Sequence, residues 1–152
     1  MTDANHQLLA LWAANCAEHV LPLFEQANLT DERPSQAIEL TRAWAKGEIP
    51  MKQAHQAAFV TNAAAKEMPA AAKFAALAAG QAVAVAHVAA HELGAAAYAI
   101  RAVRESVEES EREEMGRKEC QWQRNQLPDA IRELVLDDQK LRNYLCWFVF
   151  DC

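Results

Sequence analysis

Apolar residues recur along this chain at the three-to-four-residue spacing of an amphipathic helix. In the first such segment, HQLLALWAANCAEHVLPLFEQAN, the apolar side comprises Leu9, Trp12, Ala13, Cys16, Val20, Leu23 and Phe24. Pro22 lies inside this pattern and predicts a kink or a split near Val20. A second helix is predicted in RPSQAIELTRAWA, with Pro34 in its first turn and Gly47 just beyond its end.

Alanine dominates the middle of the chain, between Pro69 and Val107. Nearly every position there is apolar, which predicts a central helix surrounded by other helices. Alanine is the best helix former, and its small side chain lets neighbouring helix axes approach closely. Gly94 predicts a break, with a further helix from about Ala95 to Val107.

The remaining segments complete a helical chain. Pro50, Pro69 and Pro128 each predict the start of a helix, and REEMGRKECQWQRNQ predicts a polar helix just before Pro128. The end, LCWFVFDC, fits either a helix or a buried extended tail, because periodicity cannot separate the two. No linker divides the sequence. We therefore predict one all-α domain over residues 1–152, a compact bundle of about six to eight helices around the alanine-rich central helix.

Composition and charge narrow the class of protein. Apolar residues make up 52% of the chain, while proline and glycine number only five and four, as expected of a compact soluble fold. The first residues lack the pattern of a signal peptide, and no apolar run reaches membrane-spanning length. A net charge of −6 disfavours nucleic acid and anionic membranes as partners and favours basic proteins.

The four cysteines, Cys16, Cys120, Cys146 and Cys152, show no tight paired spacing. In a chain of this size without an export signal, they are predicted to be reduced thiols. We therefore expect a cytoplasmic location.

Two pairs of residues are candidate metal ligands. If the alanine-rich helix runs through AHVAAHELG, then His87 and His91 lie on one helical face, one turn apart. They could offer two imidazoles to a zinc ion, with Cys16 and His19 adding two ligands from the first helix. The alternative is a polar stripe at a helix edge that binds no metal. A helical pattern of this kind is far less specific than paired CxxC motifs, so no cofactor is predicted.

No catalytic residue is predicted either. Cys16 lies on an apolar helix face, where a cysteine usually fills the core. In HELGA, Ala95 occupies the position of the second histidine of a zinc protease. Four scattered glycines build neither a phosphate-binding loop nor a dinucleotide fingerprint.

Glutamates cluster around the start of the polar helix, at Glu108, Glu109, Glu111, Glu113 and Glu114. Such a run is usually a solvated face with weak ion pairs. The alternative is an acidic patch that docks a basic partner and speeds its association. Trp122, in the polar context ECQWQRNQLP, is predicted to be a half-buried anchor or an interface hot spot. The apolar tail CWFVF should pack inside the fold or against a second copy, which would give a homodimer.

Four segments together resemble one known family. They are NCAEHVLPLFE, RPSQAIELTRAWAKGEI, AVAVAHVAAHELGAAAYAIRAV and WQRNQLP, and the similarity runs from about Leu8 to Asp151. These segments resemble the Imm-5-like family of immunity proteins from bacterial polymorphic toxin systems. The resemblance implies a non-enzymatic protein of the producer's cytoplasm that neutralises a cognate toxin by surface complementarity.

An acidic helical domain suits a basic nuclease as that toxin. The glutamate cluster with Trp122 is then the predicted docking face. The alternative hypothesis is a small-molecule or metal-binding bundle, with or without enzymatic activity, centred on His87, His91, Cys16 and His19.

Overall fold

The computed structural model describes all 152 residues, Met1 to Cys152, as helices, turns and loops without a strand. The α-helices are α1 (Asp3–Glu25), α2 (Arg33–Ala45), α3 (Met51–Ala63), α4 (Ala70–Ala84), α5 (His91–Glu105), α6 (Arg112–Asn125) and α7 (Asp129–Arg142). Short 3-10 helices at Glu109–Glu111 and Asn143–Cys146 precede α6 and follow α7. The predicted all-α bundle is confirmed, with a number of helices in the predicted range. No helix combines the length and the apolar character needed to span a membrane.

Local sequence signals account for most helix ends. The Thr2 hydroxyl oxygen accepts a backbone N–H at 3.1 Å and caps α1. Pro50, Pro69 and Pro128 stand immediately before α3, α4 and α7. A missing N–H is harmless at that position, because it has no partner within the helix. Gly47 follows α2 with φ of +76°, in the left-handed region that favours glycine.

Helix α1 runs through Pro22, so of the predicted kink or split near Val20 the split is wrong. Proline removes one helical hydrogen bond and crowds the preceding turn. Here Val20 and Phe24, only 2% and 0% exposed, hold the chain in the core on both sides of Pro22. Tertiary packing therefore outweighs the local penalty of the proline.

The alanine-rich helix α4 is the centre of the bundle and packs against α1, α2, α3 and α5. Its fully buried alanines are Ala72, Ala75, Ala76, Ala78, Ala79 and Ala82. A side chain at Gly80 would collide with Asn62 of α3, and one at Gly94 of α5 would collide with Gln81 of α4. Small residues thus allow the close approach of three helices.

The break after α4 lies at residues 85–90, not at Gly94, which is inside α5. The His6 side chain of α1 donates its Nε2–H to the Val85 carbonyl oxygen at 2.6 Å. The Val88 N–H donates to the Ala84 carbonyl at 3.0 Å. These bonds satisfy carbonyls that the end of α4 would otherwise leave unpaired. Glycine often ends a helix, but Gly94 lies inside α5, where the absence of a side chain allows α4 to pack closely.

The C-terminal tail folds back onto α6. Cys120 and Cys152 form a disulfide, so the prediction of four reduced thiols is wrong. The fold brings together two cysteines that are 32 positions apart and show no spacing motif. Arg124 holds the same segment by donating to the Phe150 and Cys152 carbonyl oxygens at 2.8 and 2.9 Å.

The tail is a turn structure with mixed exposure rather than a helix or a buried strand. Phe150 is 4% exposed and enters the core. Trp147 and Phe148 adopt positive φ angles and remain 50% and 61% exposed. The Arg101 guanidinium lies over the Trp147 ring, 4.1 Å from its centroid. The tail thus packs inside only in part.

Candidate functional site

The four candidate metal ligands lie in two separate groups. Cys16 and His19 belong to α1 and face α6, where both approach Glu119. His87 lies in the turn between α4 and α5, and His91 is the first residue of α5. No group of three or more His, Cys, Asp or Glu side chains is arranged to hold a metal ion. The four candidate ligands are therefore not brought together in one shell in this fold.

His87 and His91 do not share a helical face, because α4 ends at Ala84. The two imidazoles are nevertheless close, together with that of His55 on α3. The His55 and His87 ring centroids are 4.1 Å apart, and His91 Nδ1 lies 2.9 Å from the Gln81 side-chain oxygen. Burial, and then the neighbouring His87 and His55, lowers the pKa of His91. Sequence reasoning missed His55, because no pattern in the sequence of α3 predicts that this residue packs beside His87 and His91.

Cys16 is fully buried in the core, as its position on the apolar face of α1 predicted. Burial, reinforced by the Glu119 carboxyl, raises the pKa of its thiol well above the ordinary value. The group therefore stays protonated at neutral pH. A neutral, buried thiol is a poor nucleophile and a poor metal ligand.

His19 and Glu119 join α1 to α6. His19 Nδ1 lies 2.9 Å from the Glu119 carboxylate, and the two side chains are 40% and 5% exposed. Burial raises the pKa of Glu119, and the hydrogen bond from His19 opposes part of that rise. Sequence reasoning overlooked Glu119, although Gly116, Glu119, Cys120 and Gln123 share the buried side of α6. That periodicity was the available signal.

Trp122 stacks on the outer face of His19. The two ring centroids are 3.5 Å apart and the planes differ by 9°. Trp122 is half-buried, as predicted. One depression of about 600 Å³ beside it is lined by Glu114, Arg117, Lys118, Gln121 and Asn125. A second of about 410 Å³ is lined by Asn15, Glu18, His19 and Gln126. The indole thus forms a ridge between two polar depressions; we call this region the Trp122 surface.

The Trp122 surface is rigidly supported from below. The indole N–H of Trp12, on α1, donates to the Gln123 carbonyl oxygen at 2.8 Å. The Gln123 side chain donates to the Ala96 carbonyl oxygen at 3.0 Å and so ties α6 to α5. Within the second depression, the Glu18 carboxylate is held by Arg42 at 2.6 Å. These bonds fix the positions of α1 and α6, and with them the ridge.

All five glutamates of the predicted acidic patch are exposed. Glu113 and Glu114 form ion pairs with basic residues one turn later, at 3.8 and 3.2 Å. Exposed pairs of this kind contribute little to stability. Glu108, Glu109 and Glu111 form no ion pair. They precede the N-terminus of α6, where the helix dipole favours negative charge. Since Glu114 also lines the first depression, the patch adjoins the Trp122 surface.

Comparison with protein families gives one match. The model of a family described as "Imm-5 like putative immunity protein" matches residues 1–130. The chain belongs to the Imm-5-like family. No curated protein and no solved structure matches it.

The part of the chain that carries the Imm-5-like match includes the whole Trp122 surface and the acidic patch. Most of α7 and the tail lie beyond it. The disulfide therefore joins a cysteine inside the matched part to one outside it. The candidate surface depends on the part of the fold that the family shares.

Proposed function

We propose that this chain is an immunity protein that binds a toxin protein through the Trp122 surface and neutralises it without catalysis. The observation that carries this proposal is the stacking of Trp122 on His19 between two depressions. Tryptophan is among the residues that dominate binding energies at protein interfaces. A ring that is already held in place loses little conformational freedom on binding. Membership of the Imm-5-like family supports the immunity role.

The charge of the adjoining patch supports a basic partner. Glu108, Glu109 and Glu111 are exposed and unpaired, and the whole chain carries a net charge of −6. Such a field accelerates the encounter with a basic protein and repels nucleic acid and anionic membranes. A basic nuclease toxin fits this chemistry. We place the encounter in the cytoplasm of the producing cell, as the immunity role implies. There the Arg124 hydrogen bonds hold the tail in addition to the Cys120–Cys152 disulfide.

The test combines affinity and protection against a candidate toxin from the producing bacterium. In binding kinetics with purified proteins, Trp122→Ala should weaken affinity by about 30-fold, as expected of a hot-spot tryptophan. Phe59→Ala is the control, since Phe59 is an aromatic residue of α3, 67% exposed and outside this surface. Unchanged affinity and unchanged growth protection with Trp122→Ala would remove the Trp122 surface from the proposal.

The role of the acidic patch is tested separately by charge reversal. Glu108→Lys with Glu111→Lys should slow association about tenfold at low salt, and the effect should shrink as salt is raised. Glu25→Lys with Glu39→Lys is the matched control, because it changes the net charge equally at two exposed glutamates elsewhere. If both double variants slow association equally, the association rate depends on the net charge of the protein and not on the acidic patch.

A further inference from the structure

A groove unrelated to the Trp122 surface lies between the start of α5 and helix α7. It has a volume of about 480 Å³. Apolar side chains line it, among them Val88, Leu134 and Leu141, which are 43%, 42% and 71% exposed. Leu9 of α1 also contributes. Leu9 and His19 are ten positions apart on α1, so about 15 Å of helix separates the groove from the Trp122 surface.

A buried carboxyl group lies in this apolar groove. Glu92 is only 3% exposed, and its Oε2 atom has no hydrogen-bond partner. The side chain within hydrogen-bonding reach is the Asp138 carboxylate, which is itself an acceptor, and the backbone N–H groups of Glu92 and Leu93 act on the carboxyl less strongly. Arg142 is bound to Asp138 at 3.1 Å and forms no ion pair with Glu92. A buried acceptor without a donor costs stability, so this arrangement needs an explanation.

The protein resolves the conflict by keeping a proton on Glu92. Burial, and then the Asp138 carboxylate, raises the pKa of Glu92 to about 8. At neutral pH the protonated carboxyl donates to Asp138. The other charged groups lining the groove are Asp137, Arg142 and the amino-terminal residue Met1. The nearby Cys146 thiol is neutral, since burial raises its pKa.

We propose that this groove binds an aliphatic cation, an ammonium or guanidinium group on an alkyl chain, between Glu92 and Asp138. The apolar walls pack against the methylene groups, as they do around the stems of lysine and arginine. The cationic head replaces the Glu92 proton as the hydrogen-bond donor between the two carboxylates. A metal ion does not fit, because no third ligating side chain is in place. The same chemistry is offered by a free alkylamine and by a basic side chain of a partner.

Binding of the cation requires loss of the Glu92 proton. The neutral carboxyl releases H⁺ to solvent, and the resulting carboxylate pairs with the incoming ammonium or guanidinium group. Affinity should therefore rise by up to about tenfold per pH unit below the Glu92 pKa, and level off above it. A purely apolar groove would show no such dependence.

The probe is hexylammonium chloride, titrated into uniformly labelled full-length protein and followed by amide NMR. We expect saturable shifts at Val88, Leu134 and Leu141, and about tenfold tighter binding at pH 7.5 than at pH 6.5. Glu92→Gln should weaken binding at least tenfold and abolish its pH dependence. Glu133→Gln, an exposed position on the same helix as Asp138, should leave both unchanged. The glutamine cannot ionise, so we expect the Glu92→Gln variant to fold.

Two results would overturn the proposal. One is equal binding of hexylammonium to the wild type and to Glu92→Gln. The other is equal binding of 1-hexanol, which has the same chain without charge. A capped Leu-Lys-Leu peptide that saturates at lower concentration than hexylammonium identifies the source as a partner side chain, and the reverse order identifies a free amine. None of these outcomes bears on toxin binding at Trp122.

Discussion

Glu92 and Glu119 are buried to nearly the same extent but contact different side chains. Their exposed fractions are 3% and 5%, and each lies where a second helix approaches. Glu119 meets the His19 imidazole at 2.9 Å, a donor that can carry positive charge. Glu92 meets Asp138, an acid like itself, and the contact forms only because Glu92 keeps a proton. The same side chain is thus paired with a base at one position and with a second acid at the other.

The comparison separates a structural role from a binding role. Burial raises the pKa of both carboxyls, but His19 opposes the rise at Glu119, whereas Asp138 adds to it at Glu92. The Glu119–His19 hydrogen bond connects α1 to α6 and fixes the imidazole ring on which Trp122 stacks. Glu92 is held at Asp138 by a proton, which a bound cation would replace.

Replacing Glu92 by glutamine should have the largest effect. Between about pH 4.5 and 8 the folded protein keeps a proton on Glu92 that the unfolded chain has released, so stability falls as pH rises through that window. Glu92→Gln removes this loss and should raise the free energy of unfolding by up to roughly 5 kcal/mol at pH 8.5, with little gain at pH 4. Urea unfolding followed by tryptophan fluorescence measures both values. An equal gain at both pH values would show that ionisation is not the cause.

Removing His19 should raise the pKa of Glu119 further, so that this buried carboxyl, like that of Glu92, keeps its proton to higher pH. His19→Ala leaves the buried carboxyl without its donor, so the pKa of Glu119 should rise further. The free energy of unfolding should fall by about 1–2 kcal/mol at pH 7. Carbon NMR of the glutamate carboxyl groups reports the titration, and urea unfolding the stability. In the control, His55→Ala, the Glu119 titration should not move; a parallel shift there would argue for a global change.

A smaller effect should come from His91, the immediate neighbour of Glu92. Its pKa is lowered, so the unfolded chain takes up a proton first as pH falls below 6.5, and the folded state loses stability. His91→Gln keeps a polar group near Gln81 and removes this loss, so the variant should gain stability relative to the wild type as pH falls from 7 to 5. Thermal unfolding across that range tests the prediction. Identical acid slopes for wild type and variant would contradict it.

The sequence predicted the helices well because their ends carry local signals. Pro50, Pro69 and Pro128 start helices where expected, and Gly47 follows one. The break after Ala84 carries no such signal, since it depends on His6, a residue about eighty positions away. Every inference that assumed a continuous helix through His91 failed with it, including the shared face of His87 and His91.

Only some residues of the candidate sites could be predicted from the sequence. Trp122 was recognised because a large aromatic residue in a polar helix is unusual. Glu92 and Glu119 look like ordinary helical glutamates in the sequence, and only the packing of α7 and α1 against them reveals their burial. The Cys120–Cys152 disulfide likewise depends on how the tail returns to α6.

The alanine core of α4 has a consequence for how this protein tolerates mutation. In most domains, the damaging core substitutions shorten a side chain and leave a cavity. At Ala75, Ala76 and Ala79, which are fully buried, almost nothing remains to be removed. Damage there must come from enlargement, since a larger side chain pushes neighbouring helices apart, at about 1–3 kcal/mol for a typical substitution. A mutational survey should therefore find that substitution by glycine at these positions leaves no large cavity, whereas substitution by larger side chains destabilises the fold.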